Sequence, residues 1–342
     1  MSRTVCAIDL TSRSVQVLVR RRSGDIEAAD FPLPADALHD GKVLQPPAVQ
    51  HYLARLMRVL KLRRAEVRLV LSDSACVTRF LAYPRMPRRD LERSLRLESA
   101  RELPMNPDNA YLGWETVDVD GGQHRVFLVG AWRDIVDGYL QAVEGLGRPK
   151  IIEPRSVALA RAVGLPDAVL MDWTGERLQV VVVESHRVTF STSRTIPTTV
   201  TESTPRLASF IAGLIPKPSG RRGLLPGRLV LLGELYGRGD VASDLVRISA
   251  QPFEVVLEWR PADPFGRFAA ASQAATIGAL MRDQPGTRVA EGFPGVNLMI
   301  ERNRIMRPQP AVRARFVIAL VVAVLMLAVV VGIQIGTLAG AK

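Results

Sequence analysis

The hydrophobic pattern opens on two apolar runs, VCAIDL at 5–10 and VQVLV at 15–19, separated by the polar stretch TSRS. Two such runs around a short polar turn predict a β-hairpin, and Ile26 and Phe31 extend it as a meander. From 47 to 61 the period changes. Val49, Tyr52, Leu53, Leu56, Val59 and Leu60 recur at helical spacing. VRLVLSD (67–73) and CVTRFLAY (76–83) predict two more strands. Leu91, Leu95 and Leu103 mark one face of a helix over 88–103, closed by Pro104, with Glu98 and Glu102 paired to arginines along its surface. Strands over 111–119 and 125–132 follow, joined by the turn Asp120-Gly121-Gly122. A helix over 133–146 ends at Gly147.

The second half repeats the opening. After a short helix at 156–165, VLMDW (169–173), the turn TGE and RLQVVVVES (177–185) form another strand-turn-strand unit. Asp9-Leu10-Thr11 answers to Asp172-Trp173-Thr174, which points to an internal duplication. GRLVLLGELYGRGD (227–240) is a strand opening into a glycine loop, and FAAASQAATIGALM (268–281) is a helix. Residues 282–315 are rich in Arg, Pro and Gly and read as a linker beside a membrane. Residues 316–338, FVIALVVAVLMLAVVVGIQIGTL, carry no charged or polar side chain from Phe316 to Ile333. At ~1.5 Å per residue this stretch is roughly 35 Å long, enough to cross a ~30 Å hydrocarbon core. Arg302, Arg304, Arg307, Arg313 and Arg315 precede it and only Lys342 follows. The positive-inside rule therefore predicts a single-pass protein with a cytoplasmic N-terminal body. The first residues lack the apolar run of a cleaved signal, and the four residues after the span are too few for an external domain.

Charge and cysteine usage narrow the function classes. Lys and Arg number 45 against 34 Asp and Glu, a net charge of +11, which favours an anionic partner. The arginines are scattered, without zinc-finger spacing or an RNP-type aromatic motif, so an anionic membrane surface fits better than nucleic acid. Cys6 and Cys76 form no CxxC pair, and His39, His51, His124 and His186 lie far apart. No disulfide framework and no metal site is expected.

The duplicated Asp-bearing turns, the later glycine loop and the order of elements resemble the actin-like ATPase superfamily. The stretch 83–163 is more specific. YPRMPRRDLERSLRLESARELPMNPDNAYLGWETV and then VFLVGAWRDIVDGYLQAVEGLGRPKIIEPRSVALARAV resemble the PilM family, the FtsA-like proteins of type IV pilus assembly. The resemblance implies an α/β, actin-like (ribonuclease H-like, duplicated) ATPase fold with an inserted FtsA-type subdomain, plus the C-terminal transmembrane helix. The expected boundaries are 1–77 and 151–282 for the two actin-like parts and 78–150 for the insertion. A basic linker at 283–315 and the span at 316–338 follow. Gly295-Val296-Asn297-Leu298-Met299, ahead of the arginines and the span, resembles the start of PilN, whose short motif docks on PilM; Ile300 stands where that motif has proline. The resemblance thus implies partner docking through Val296, Asn297 and Leu298, in cis or into a neighbouring copy, which would make a homo-oligomer. It also implies other pilus platform proteins as partners, and a place on the bacterial cytoplasmic (inner) membrane.

The same resemblance implies ATP with Mg²⁺ as the ligand, held by Asp9, Thr11, Ser12 and Ser14 in one turn, Asp172 and Thr174 in the other, and Gly233 in the adenosine loop. Three departures argue against it. Thr11 and Thr174 stand where the family has glycine, which restricts close approach of phosphate to backbone. Glu234 puts a carboxylate in the glycine loop, and Trp173 and Arg177 flank the second turn. No residue is identifiable by motif as an activator of water. The reading is a membrane-anchored, actin-like scaffold acting by protein docking, rather than an ATPase, a small-molecule kinase or an FtsA-like division protein.

Overall fold

In the computed structural model, which describes residues 3–34, 36–62, 65–120, 123–216, 225–261, 271–282 and 295–305, β1 (Val5–Leu10), β2 (Ser14–Arg20) and β3 (Ile26–Pro32) form an antiparallel meander. A short ribbon, β4 (Leu38–His39) and β5 (Lys42–Val43), leads into α1 (Pro46–Val59). β6 (Glu66–Leu71) then pairs parallel to β1. An insertion follows. β7 (Cys76–Pro84), β8 (Ala110–Asp120) and β9 (Gln123–Trp132) make a three-stranded sheet in the order β7-β9-β8, accompanied by α2 (Arg88–Glu102) and α3 (Arg133–Ala142). The chain returns as β10 (Arg148–Pro154), parallel to β6, completing a five-stranded sheet ordered β10-β6-β1-β2-β3.

The second half builds the same sheet again. After α4 (Arg155–Val163) come β11 (Ala168–Thr174), β12 (Arg177–Glu184), β13 (Arg187–Thr195), α5 (Thr198–Thr201), α6 (Thr204–Ala212), β14 (Arg228–Gly233), α7 (Gly239–Ser249) and β15 (Glu254–Val256). Their order, β13-β12-β11-β14-β15, reproduces that of the first sheet strand for strand. The registers agree as well. Asp9 faces Gln16 across β1 and β2, and Asp172 faces Gln179 across β11 and β12. This is the duplicated, ribonuclease H-like architecture of the actin-like fold.

Burial explains the strand sequences. β1 is buried along its whole length and β12 nearly so; α8 (Ala274–Met281) packs on β1 and α4 on β12. Such strands are continuously apolar rather than alternating. The edge strand β3 (IEAADFP) carries its polar residues outward. At the centre, α4 packs against α8, and α8 is buried at every position. Small residues allow the contact: a Cβ on Gly278 would lie 1.8 Å from the carbonyl oxygen of Ala158.

Several elements differ from the sequence pattern. α3 stops at Ala142, and Val143 to Leu146 form turns before Gly147. The helix expected over 268–281 is α8, preceded by a 3-10 turn at Ala271–Gln273; residues 262–270 lie outside the described ones. The stretch read as linker contains a helix, α9 (Leu298–Ile305). Residues 1–299 form one compact unit, so Gly295–Met299 belongs to the body; Ile300–Lys342 form a second, whose described residues 300–305 are helical. Among the described residues no helix is long and apolar enough to cross a membrane; the expected span, 316–338, lies outside them.

Candidate functional site

The ends of β1 and β11 meet in a cleft lined by Asp9, Thr11, Ser12, Asp172 and Thr174 together with Arg155. Ser14 is held within its own turn, and Gly233 sits behind the second turn. At φ +64°, a Cβ on Gly233 would lie 2.0 Å from the Trp173 carbonyl oxygen, so only glycine fits there. Glu234 follows, its N–H donating to Trp173 O at 2.7 Å. Burial lifts the Glu234 carboxyl above its ordinary range, against the pull of Arg13 at 4.0 Å.

The first turn spends its donors on itself. Thr11 N donates to Ser14 O at 2.9 Å, while Ser14 N and Arg13 N donate to Thr11 Oγ1 at 2.9 and 3.3 Å. The threonine hydroxyl thus occupies the place where an anion would be cradled. The two turns also engage each other, Glu176 N donating to Ser12 Oγ at 3.1 Å.

Between the aspartates lies a guanidinium. Arg155, the first residue of α4, pairs with Asp9 through Nη1 and with Asp172 Oδ2 through Nε and Nη2 at 3.1 and 2.7 Å. Its Nη2 also donates to Thr174 Oγ1 at 3.1 Å. Sequence reasoning missed Arg155; the available signal was an arginine opening a helix that is apolar apart from Ser156 and Arg161, since arginine is seldom buried unless paired. Two more contacts cross the cleft. Asp73, after β6, accepts from Ser156 N at 3.0 Å and from the Ser191 hydroxyl of β13. Burial pushes its carboxyl up, and the bonds from Ser156 and Ser191 oppose the rise. Arg177 of β12 reaches Asp40 in the β4–β5 turn and Ser193 Oγ at 3.0 Å.

These residues do not fit ATP with Mg²⁺. The two carboxylates that would hold the metal already share a fixed cation, and the Thr11, Arg13 and Ser14 amides of the first turn and the Glu176 amide of the second are already bonded. The cleft keeps a cavity of about 80 Å³, whereas small-molecule sites run to roughly 300–1,000 Å³. Among the described residues no group of three or more His, Cys, Asp or Glu is placed to hold a metal.

A second site holds the tail. Val296 and Leu298 are buried at 1% and 0% exposure. Asn297 reads the edge strand β10: its Oδ1 accepts from Ile152 N at 3.1 Å and its Nδ2 donates to Lys150 O at 2.9 Å. One amide side chain thereby satisfies an N–H and a C=O that an edge strand leaves open. The opposite wall is β8, where a Cβ on Gly113 would lie 2.6 Å from Val296 Cγ1. Glu115 accepts from Gly295 N. Arg282 donates to the carbonyls of Gly295 and Val296, the latter at 2.6 Å, and to Glu153 Oε2 at 2.8 Å. Glu153, wholly buried, is also gripped by Arg161 at 2.7 and 2.9 Å. Burial alone would raise its carboxyl, but Arg161 and Arg282 together hold it below the ordinary range.

The chain's residues 7–194 match the family model described as type IV pilus assembly protein PilM. No curated protein matches. The solved structure of a PilM-PilN type IV pilus biogenesis complex is similar at 20% identity and TM-score 0.65, covering 81% of this chain and 98% of that one. The cytoplasmic domain of EpsL, an inner membrane component of the type II secretion system of Vibrio cholerae, is similar at 14% identity and TM-score 0.51, covering 82% and 96%. At these identities the likeness is one of fold.

Proposed function

We propose, on the premise that the chain belongs to the PilM family of type IV pilus assembly proteins, that it is an actin-like scaffold of pilus assembly which carries its own PilN-like docking segment. The observation that supports this reading is the seat of Asn297 on the β10 edge with Val296 and Leu298 buried on either side. A segment read by one bidentate amide and two apolar anchors is a peptide-in-groove mode, with backbone bonds setting register and pockets setting specificity. In the solved PilM-PilN complex two proteins assemble; here, the reading runs, the segment is supplied in cis. Residues 316–338 then anchor the body to the cytoplasmic face of the bacterial inner membrane. Other platform proteins bind the remaining body surface.

The function is one of docking rather than turnover, because the cleft residues do not fit the nucleotide. Asn297→Ala/Leu298→Ala tests it. The substitution removes the two hydrogen bonds to β10 and the one from Met299 N, worth about 1 kcal/mol each, and a buried leucine worth about 2–5 kcal/mol. The segment should leave its groove, the Ile152 amide should exchange at least tenfold faster, and pilus-platform assembly in cells should fail while the body stays folded. Assembly at the wild-type level would sink the reading.

A further inference from the structure

The cleft contains a side chain that does what a bound metal would do. Asp9 and Asp172 end equivalent strands and are each 2% exposed. Two carboxylates desolvated side by side need a compensating cation. Arg155 supplies one charge to both and hydrogen-bonds the adjoining Thr174. Guanidinium cannot be deprotonated under ordinary conditions, and its planar fork matches carboxylate geometry. It is delivered by the first turn of α4, the helix that connects the two repeats, so the position of the charge is built into the chain path.

We propose that Arg155 is the resident cation of this cleft, replacing the divalent metal and nucleotide that the fold family implies, so that the two halves are fastened without either. The inference stands independently of the docking of the tail. Three other contacts close the same gap: Ser12 with Glu176, Asp73 with Ser156 and Ser191, and Asp40 with Arg177. A Mg²⁺ ion entering between Asp9 and Asp172 would meet a fixed positive charge in a poorly solvated site, where repulsion is strong. The body is therefore a permanently closed clamp, and nucleotide state does not set its shape.

The test uses the full chain in detergent, with thermal unfolding and calorimetric titration of ATP and Mg²⁺. For the native protein the Tm is expected to be the same with and without millimolar ATP and Mg²⁺, with no binding heat. A ligand well above its Kd would instead raise the Tm, and such a rise would overturn the proposal. Arg155→Met leaves the two carboxylates facing each other. Its Tm should fall by roughly 5–10 °C, and Mg²⁺ alone should recover part of the loss by filling the vacated place. An unchanged Tm, or a loss that Mg²⁺ leaves untouched, would contradict the assigned role. If Arg155→Met does not fold, the charge-free triple variant Asp9→Asn/Arg155→Met/Asp172→Asn decides. It should fold, melt within a few degrees of the native protein and ignore Mg²⁺; failure to fold, or a Mg²⁺ response, counts against the proposal.

Discussion

Glu153→Ala is expected to destabilise the body by about 3–5 kcal/mol, the range for removing one partner of a buried ion pair. The figure is large because the carboxylate serves two arginines at once. Arg161 is 2% exposed and Arg282 11%, and neither can shed its charge. Without Glu153 two guanidiniums stay buried without that carboxylate, Arg161 keeping its bond to Gly278 O at 2.9 Å and Arg282 its bonds to the Gly295 and Val296 carbonyls. The loss therefore spreads. Arg282 also holds the tail, so the segment Gly295–Met299 should loosen together with the core. A denaturant melt of the variant checks the energy, and amide exchange at Ile152 checks the spread. The pH dependence has a definite sign. Since the folded carboxyl lies below its unfolded value, its stabilisation is complete above about pH 4.3 and is lost as the pH falls through the lowered value. Glu153→Ala should therefore remove part of the acid-side slope. A cost below about 1 kcal/mol, as for an exposed pair, would mean that the cluster is not the fastening described.

Gly278→Ala should cost about 2–3 kcal/mol, although alanine favours a helix over glycine by about 1 kcal/mol. Two effects compete, and distances decide between them. The new methyl would sit 1.8 Å from the carbonyl oxygen of Ala158 and 2.6 Å from its carbonyl carbon. Those are backbone atoms of α4, which cannot rotate aside as a side chain would. The helices must separate, and the separation also stretches the bond from Arg161 to Gly278 O. Gly213→Ala is a suitable control, because its Cβ meets nothing closer than 3.4 Å. Thermal melts of both variants should show a large loss for the first and little change for the second; equal melts would show that α4 and α8 do not pack this closely.

What the sequence reveals and what it hides divides along physical lines. The paired hairpins are legible because local signals agree: apolar runs, an Asp and a threonine-bearing turn at the same spacing in each repeat. β10 is hidden. Its residues RPKIIEP carry a proline near each end, which reads as loop, yet an edge position tolerates proline. Arg155 is hidden for another reason: its acidic partners come from the ends of two different sheets, so only the assembled fold shows why a charge opens α4. Thr11 in the sequence is an obstacle to phosphate, and the structure adds the mechanism, since its hydroxyl occupies the Arg13 and Ser14 amides. The tail is half legible. Val296, Asn297 and Leu298 stand out as a motif, but the partners of Asn297 are main-chain atoms of Lys150 and Ile152, which no side-chain pattern encodes. Reading 282–315 as linker failed at Arg282 and Gly295–Met299, because an Arg- and Gly-rich composition does not reveal a buried carboxylate waiting for the arginine.

The seating of the tail in the groove of its own body is tested most directly by a cysteine pair, Gly113→Cys with Val296→Cys. A Cβ at 113 falls 2.6 Å from Val296 Cγ1, within reach of a disulfide. The native thiols interfere little: burial pushes Cys6 up to about 12 and Cys76 well above its ordinary value, which leaves both poor nucleophiles. Mild oxidation of the full-length protein in membranes, followed by non-reducing electrophoresis and peptide mapping, reads the outcome. Cis docking predicts a 113–296 link within single chains, absent from either single-cysteine variant and from co-expressed mixtures of the two. No link, or a link found only between chains, would contradict it.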